Sequence, residues 1–393
     1  MFIINARLYT FDRKNTVIEN GYIHLQQGKI LSLGKLEELQ SEKAILSEEE
    51  VFDAAGLSLY PGFVDAHTHL GLFGDSLTFE GDDGNEDTDP ITPQLRAIDG
   101  INPLDGYFSE ALSAGITTVI TTPGSANPIA GQMAAIKTYG KRIDKMIVKA
   151  PVGIKLALGE NPKSTYNDKE QTPVTRMATA ALMRDALTKG KRYYQEKQNY
   201  VQDKDNYDEP EFDAKNEALL PLFKKEIPAH FHAHRSDDIF TAIRIAKEFD
   251  IEYVLVHATE SHLVADELPE ESCRGILCGP ILTDRSKPEL KNQTPRLPAV
   301  LSSFGIPTAI ITDHPETPIQ YLLLCAAVAV REGMSREAAL RAVTIEPAEI
   351  CGIADRVGSL EAGKDADLVL FDGDPLDILN KPKAVFAAGK KVR

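Results

Sequence analysis

Hydrophobic and polar positions change rhythm twice along the chain. The opening stretch reads as short strands joined by tight turns: in GYIHLQQGKILSLGK, two β-type runs flank Gln27-Gly28-Lys29, a hairpin signal with glycine supplying the turn. The last stretch reads the same way, with one strand in ADLVLFDGDPLD and another in AVFAAGKKVR, which carries a Gly-Lys turn. Strand-rich ends around a different middle predict that both termini pair into one small β-sandwich domain, formed by residues 1–58 and 347–393.

Between them, strands alternate with helical stretches. PGFVDAHTHL, LSAGITTVITTPG, PVGIKLALG, IPAHFHAHR, IEYVLVHA and IPTAIITDHP read as strands. The amphipathic DDIFTAIRIAKEFD and the run from Ile319 to Arg331 read as helices. Such alternation implies parallel βα units, and their number favours an α/β fold of the (β/α)8 TIM-like barrel kind over residues 59–346. An open doubly wound sheet ranks lower, because no G-x-G-x-x-G follows a strand and no P-loop is present. The polar stretch from Asn161 to Glu226 is long for a βα connection, and a helix is predicted within it from Pro173 to Tyr194.

Composition narrows the partners. The chain has 393 residues and a formal charge of −16, which argues against nucleic-acid binding and against an anionic membrane surface. The longest apolar run, Tyr321 to Val330, is well short of the roughly 20 residues of a membrane span. No signal peptide is visible, and Cys273, Cys278, Cys325 and Cys351 are too scattered for a disulfide framework. A cytoplasmic protein acting on a small molecule is expected. The acid-rich FEGDDGNEDTDP reads as a solvated loop.

The histidines carry the chemistry. Nine placed at random would give about 0.2 pairs at i, i+2 spacing, whereas the chain has His67/His69, His230/His232 and His232/His234. Along a strand such pairs project to one face, so each group presents its imidazoles together, the pattern of a metal site. His67 and His69 close one strand, His257 ends another and Asp313 a third, all where barrel active sites lie. Neutral imidazole suits Zn²⁺, Mn²⁺, Fe²⁺ or Co²⁺, and a carboxylate near activated water can take its proton.

PGFVDAHTHLG, HFHAHR, VLVHATES, IITDHP and the terminal VGSLEAGKDADLVLFDGDPL together resemble the amidohydrolase superfamily, and most of all its imidazolonepropionase-related branch. The resemblance implies one or two divalent ions, zinc first, with His67 and His69 as first-strand ligands, His232 on the fifth strand, His257 on the sixth, and Asp313 as ligand and general base. Two-metal members place a carboxylated Lys or a Glu on the fourth strand. Lys155 and Glu160 are both available, and Glu160 is preferred for its place at the end of the run. His230, His234, His314 and Arg235 are candidates to contact substrate or support the ligands, as is Lys155. Arg176, like Arg235, has the geometry to fork onto a substrate carboxylate, but a surface salt bridge is the preferred reading for both.

The activity implied is hydrolysis of an amide, cyclic amide or dipeptide C–N bond by activated water, with Asp313 as base. Two alternatives stand beside it, a one-metal deaminase and a non-catalytic scaffold. HAHRSDD lacks the Glu that follows the fifth-strand His of deaminase members, and scaffolds lose ligands that this chain keeps. Relatives are often oligomers, so a homo-oligomer is compatible with the resemblance.

Overall fold

The structure, a computed structural model, describes residues 1–39, 50–74 and 78–393. Glu48 and Glu49, and residues 75–77 just before the acid-rich FEGDDGNEDTDP, lie outside the described residues.

Both chain ends meet in one mixed sheet. Its N-terminal strands are β1 (Phe2–Tyr9), β2 (Val17–Gln26), β3 (Lys29–Lys35), β4 (Val51–Asp53) and β5 (Ser58–Pro61). Its C-terminal strands are β14 (Leu368–Phe371), β15 (Ala384–Ala387) and β16 (Lys390–Lys391). The order is β16-β15-β14-β5-β1-β2-β3, with β4 also paired to β1. Gln27 and Gly28 both take positive φ, the turn that matches strand twist in a two-residue hairpin, and Gln26 pairs with Lys29 across it. Ala388 and Gly389 do the same between β15 and β16, so that turn lies one residue earlier than the expected Gly-Lys.

The second sheet carries the barrel: β6 (Phe63–Thr68), β7 (Ile116–Thr121), β8 (Ile129–Lys137), β9 (Ile147–Ala157), β10 (Ala229–Ala233), β11 (Tyr253–His257), β12 (Ile276–Cys278) and β13 (Thr308–Ile310), in sequence order. It is a nearly closed TIM-like barrel. At the seam between its first and last strands, the Asp313 N–H donates to the His67 carbonyl at 3.2 Å and the His69 N–H to the His314 carbonyl at 2.8 Å. Lower down, the Val64 N–H donates to the carbonyl of Val343, which is wedged into the gap.

The expectation of uniformly parallel βα units needs correction. β8 runs antiparallel to both β7 and β9. The chain between those strands, residues 122–128 and 138–146, is too short for the dozen or more residues of a crossover helix. Ile91 and Arg96 bridge to Ile129 and Gln132 of β8, so the segment before β7 lies along this strand.

Helices pack the outside elsewhere. In Ser236–Phe249, Ile239, Ala242, Ile243 and Ala246 recur at helical spacing and are buried in one core with Phe231 and Leu255. Burial of each isoleucine contributes roughly 1.5–3 kcal/mol. Ala229, Phe231 and Ala233 of β10 join this outer layer, so strand alternation turns His230 and His232 towards the barrel interior. The long insertion is mostly helical, in Glu160–Asn167, Arg176–Gln202 and Ala214–Phe223. The helix expected over Pro173–Tyr194 begins at Arg176, because the Thr175 side chain accepts from the Ala178 N–H at 3.1 Å and caps the first turn. It runs on to Gln202. Cys278, Cys325 and Cys351 are buried, Cys273 is half-buried, and all four are free thiols. No helix among the described residues is long and apolar enough to cross a membrane.

The two sheets are pinned together by charge. Lys137 of β8 bonds Asp365 at 2.8 Å and Asp367 at 2.5 Å, and both carboxylates are about 95% buried. Burial would raise the Asp365 carboxyl, but Lys137, Lys29 and Arg356 hold it down at about 2. A depressed carboxyl stabilises the fold above its unfolded value of 3.8 and loses that contribution as pH falls towards about 2. Lys137→Met is therefore expected to cost about 3–5 kcal/mol at neutral pH, by stranding buried charge. Urea melts from neutral pH down to about pH 2 should show this loss shrinking as the Asp365 carboxyl protonates.

Candidate metal centre

Six side chains gather at the C-terminal ends of the barrel strands in two groups, His67, His69 and Asp313, and His232, His234 and His257. Within each group the candidate ligand atoms all lie within 4.8 Å of one another. Nε2 of His67 and of His69 stand 3.4 and 3.5 Å from Oδ1 of Asp313. The groups adjoin, since the His67 and His257 ring centroids are 5.4 Å apart. His257 reaches the centre through an unusual backbone. Val254 and Val256 already occupy the barrel-interior positions of β11, and a φ of +66° at His257 swings the next side chain inward as well.

Four of the rings are held through Nδ1. His69 Nδ1 donates to the Thr122 carbonyl and His257 Nδ1 to the Gly279 carbonyl, each at 2.7 Å. His232 Nδ1 pairs with Ser125 Oγ at 2.9 Å and His234 Nδ1 with Thr259 Oγ1 at 2.7 Å. Nε2 of His232 is buried and has no partner. The carbonyl bonds put the proton of His69 and His257 on Nδ1 and leave the Nε2 lone pair exposed, the arrangement by which proteins orient metal-binding imidazoles, while the hydroxyl partners fix the ring planes of His232 and His234. Burial drives His67, His232 and His234 well below their ordinary pKa and His257 down to about 4. They are neutral at physiological pH, the state that ligates. This donor set, neutral imidazoles with a carboxylate, fits divalent transition-metal ions.

Lys155 of β9 is fully buried, with Nζ 3.2 Å from Nε2 of His67. Burial pulls its ammonium down to about 8. Glu160 belongs to neither group. Gly159, with a φ of +88°, turns the chain out of the strand, and Glu160 starts a helix with its N–H donating to Glu289 Oε2 at 2.9 Å. A Cβ on Gly159 would come within 2.7 Å of that oxygen, so glycine is required there.

The remaining candidates surround the centre. His230 pairs in register with Lys155, is fully buried, and neither ring nitrogen has a partner. His314 is buried against Tyr107, with ring centroids 4.4 Å apart. Arg235 forks onto Asp237 at 2.9 and 2.7 Å in an exposed pair. Nε of Arg176 bonds both oxygens of Asp238, at 3.1 and 2.9 Å. Sequence reasoning missed Glu289, almost wholly buried beside Lys287 at 2.8 Å and His234 at 3.8 Å, along with Ser125, Thr259 and Asp65. A buried acid in the charged stretch DRSKPELK had no periodic signal to single it out.

Above the two groups lies a cavity of about 600 Å³, its wall including Phe73, Asn85, Asn161, Lys287, Gln293 and Glu316. The acid-rich loop along its edge is partly neutralised, Asp87 by Lys169 at 2.6 Å and Asp89 by Lys215 at 2.5 Å, both from the insertion.

Comparison with known proteins identifies the family. The amidohydrolase family profile matches residues 58–392. The chain is 30% identical over 361 residues to amidohydrolase tasK of Hapsidospora irregularis, covering 86% of this chain and 37% of that protein's length. It is 26% identical over 410 residues to imidazolonepropionase of Thermoplasma volcanium, covering 95% and 91% of the two chains. The crystal structure of an amidohydrolase from Thermotoga maritima superposes with a TM-score of 0.92 at 40% identity, covering 100% of this chain and 99% of the other. The chain is a hydrolase and belongs to the amidohydrolase family, on its imidazolonepropionase-related side.

Proposed function

We propose that this enzyme cleaves the C–N bond of an amide, cyclic amide or dipeptide, using divalent metal held by the two histidine groups, with zinc as the first expectation. The observation that carries this reading is the pair of adjoining groups at the floor of the cavity, with the His69, His232, His234 and His257 rings held through Nδ1. We assign His67, His69 and Asp313 to one ion and His232 with His257 to a second, His234 standing against them. Lys155, rather than Glu160, is assigned to the position shared by both groups, because it alone of the two touches a ligand. The catalytic barrel, residues 59–346, is read as carried on a β-sandwich unit of residues 1–58 and 347–393.

When bound, such metal supplies Lewis-acid polarisation of the carbonyl and a more acidic attacking water. Asp313 accepts the proton of that water as the C–O bond forms, then returns it to the nitrogen as the C–N bond breaks. Ser125, Thr259 and the Thr122 and Gly279 carbonyls keep the imidazoles from reorienting while charge develops. The cavity is within the usual range for a small organic substrate and larger than water alone would need.

Chelator-stripped protein is expected to be inactive, and to regain hydrolysis of a member of a cyclic-amide, N-acyl amino acid and dipeptide panel when Zn²⁺ or Mn²⁺ is restored. Metal content should rise to two equivalents per chain. Full activity after stripping, or ammonia release from an aminopurine or aminopyrimidine panel at one equivalent, would overturn the reading in favour of metal-free chemistry or deamination.

A further inference from the structure

The geometry points to Asp65 as a positioning residue that closes the barrel seam beneath the metal centre and sets Asp313 against His67 and His69. β6 and β13 are the two ends of the barrel sheet and share no continuous ladder. Wherever two strands meet without one, their backbone donors need other partners. Asp65 provides them for a donor on each side. Its Oδ1 accepts from the His67 N–H at 3.3 Å, and its Oδ2 accepts from the Thr312 N–H at 3.2 Å and from Thr312 Oγ1 at 2.6 Å. The side chain is fully buried, so no water competes for these bonds.

The arrangement continues through Thr312. Its hydroxyl, while donating to Asp65, accepts from the His314 N–H at 3.2 Å. Asp313 is thus flanked by two residues tied to one carboxylate. It is also the residue whose backbone is strained, with a φ of +53°. Such conformations persist where the surroundings over-determine them. This left-handed turn lies just past β13 and carries the Asp313 carboxylate to the imidazoles of His67, on β6, and His69, just past its end. One buried carboxylate therefore governs the spacing between ligands delivered by opposite edges of the sheet. Asp65 itself reaches neither substrate nor ligand atoms and acts only through Thr312 and the two backbones.

Three variants test this on the full-length chain. Asp65→Asn places an amide nitrogen where donors converge. Thr312→Val keeps the side-chain shape and removes the hydroxyl, and Thr312→Ser keeps the hydroxyl and removes the methyl. Asp65→Asn and Thr312→Val are expected to lower kcat by about 100-fold, the effect of moving a catalytic group by about 1 Å. KM should stay within about threefold of native, because the cavity wall is untouched. The visible spectrum of the cobalt-loaded chain should change in both variants, and Thr312→Ser should match native in rate and spectrum. Native kcat and a native cobalt spectrum in Thr312→Val would overturn the inference. So would Thr312→Ser impaired as severely as Thr312→Val, which would place the effect in methyl packing. If Asp65→Asn fails to fold, the two Thr312 variants decide alone. Failure of the native chain to take up cobalt would overturn the metal reading itself.

Discussion

Replacing Asp313 by asparagine is expected to lower kcat by about 10²- to 10⁴-fold, the contribution of a positioned general base. Asparagine preserves the shape and tolerates the left-handed backbone at this position, so the loss isolates the charge and the proton-accepting oxygen. Burial alone would push the Asp313 carboxyl up, but His257, His69 and Lys155 together hold it below its ordinary value. The group is therefore ionised throughout the neutral range, ready to accept a proton. A base already ionised gains nothing from raising the pH, so the full deficit of the variant should be present at neutral pH. Metal content must be measured alongside, because Asp313 is also assigned as a ligand. A variant with its metal retained and native kcat would place the base elsewhere.

The second large effect separates Lys155 from Glu160. Lys155→Met is expected to lose at least about 100-fold in activity or metal affinity, whereas Glu160→Gln should stay within about twofold, as for a substitution away from the centre. The physical reason lies in the amine. Burial pulls Lys155 down to about 8, so a neutral fraction exists near physiological pH. A neutral amine can add to CO₂, forming an N–C bond and releasing one proton, which converts a poor ligand into a carboxylate. With ¹³C-bicarbonate, the native chain should show a carbamate resonance that is missing from Lys155→Met and retained in Glu160→Gln. If Glu160→Gln is the variant that loses activity, the fourth-strand assignment passes to the glutamate.

The range of each interaction decides how much of it the sequence could convey. The His67/His69 spacing is readable because strand alternation is local, and it survives in the structure as two rings on one carboxylate. His257 and Asp313 were readable as strand-terminal residues, although neither reaches the centre by simple alternation. Each is turned by a positive φ that no local propensity announces in VLVHA or IITDH. Glu160 looked well placed because PVGIKLALGE reads as one continuous strand, yet Gly159 bends the chain away and a helix begins. The antiparallel β8 was hidden for a similar reason. Its apolar run IAGQMAAIK carries no sign of direction, and only the short connections on either side dictate the reversal. The partners that aim the rings are each distant in the chain from the histidine they hold: Ser125 and Thr259 from His232 and His234, and the Thr122 and Gly279 carbonyls from His69 and His257, so even Thr259, inside VLVHATES, could not be matched to its ring.

The reversed strand has one more effect, on how this enzyme can vary. The turn that leads into β8 contains Ser125, which holds the His232 ring. That turn is sewn to the acid-rich loop by three bonds: Gly124 N–H to the Gly84 carbonyl at 2.7 Å, Ala126 N–H to Asn85 Oδ1 at 3.1 Å, and Asn127 Nδ2 to the Glu86 carbonyl at 2.6 Å. Asn85 also lines the cavity. A helical crossover would have insulated the histidine from such a neighbour. Here an insertion or deletion among residues 80–89 reaches the imidazole through a single hairpin turn. The shape of the cavity wall and the orientation of the His232 ring are thus mechanically linked.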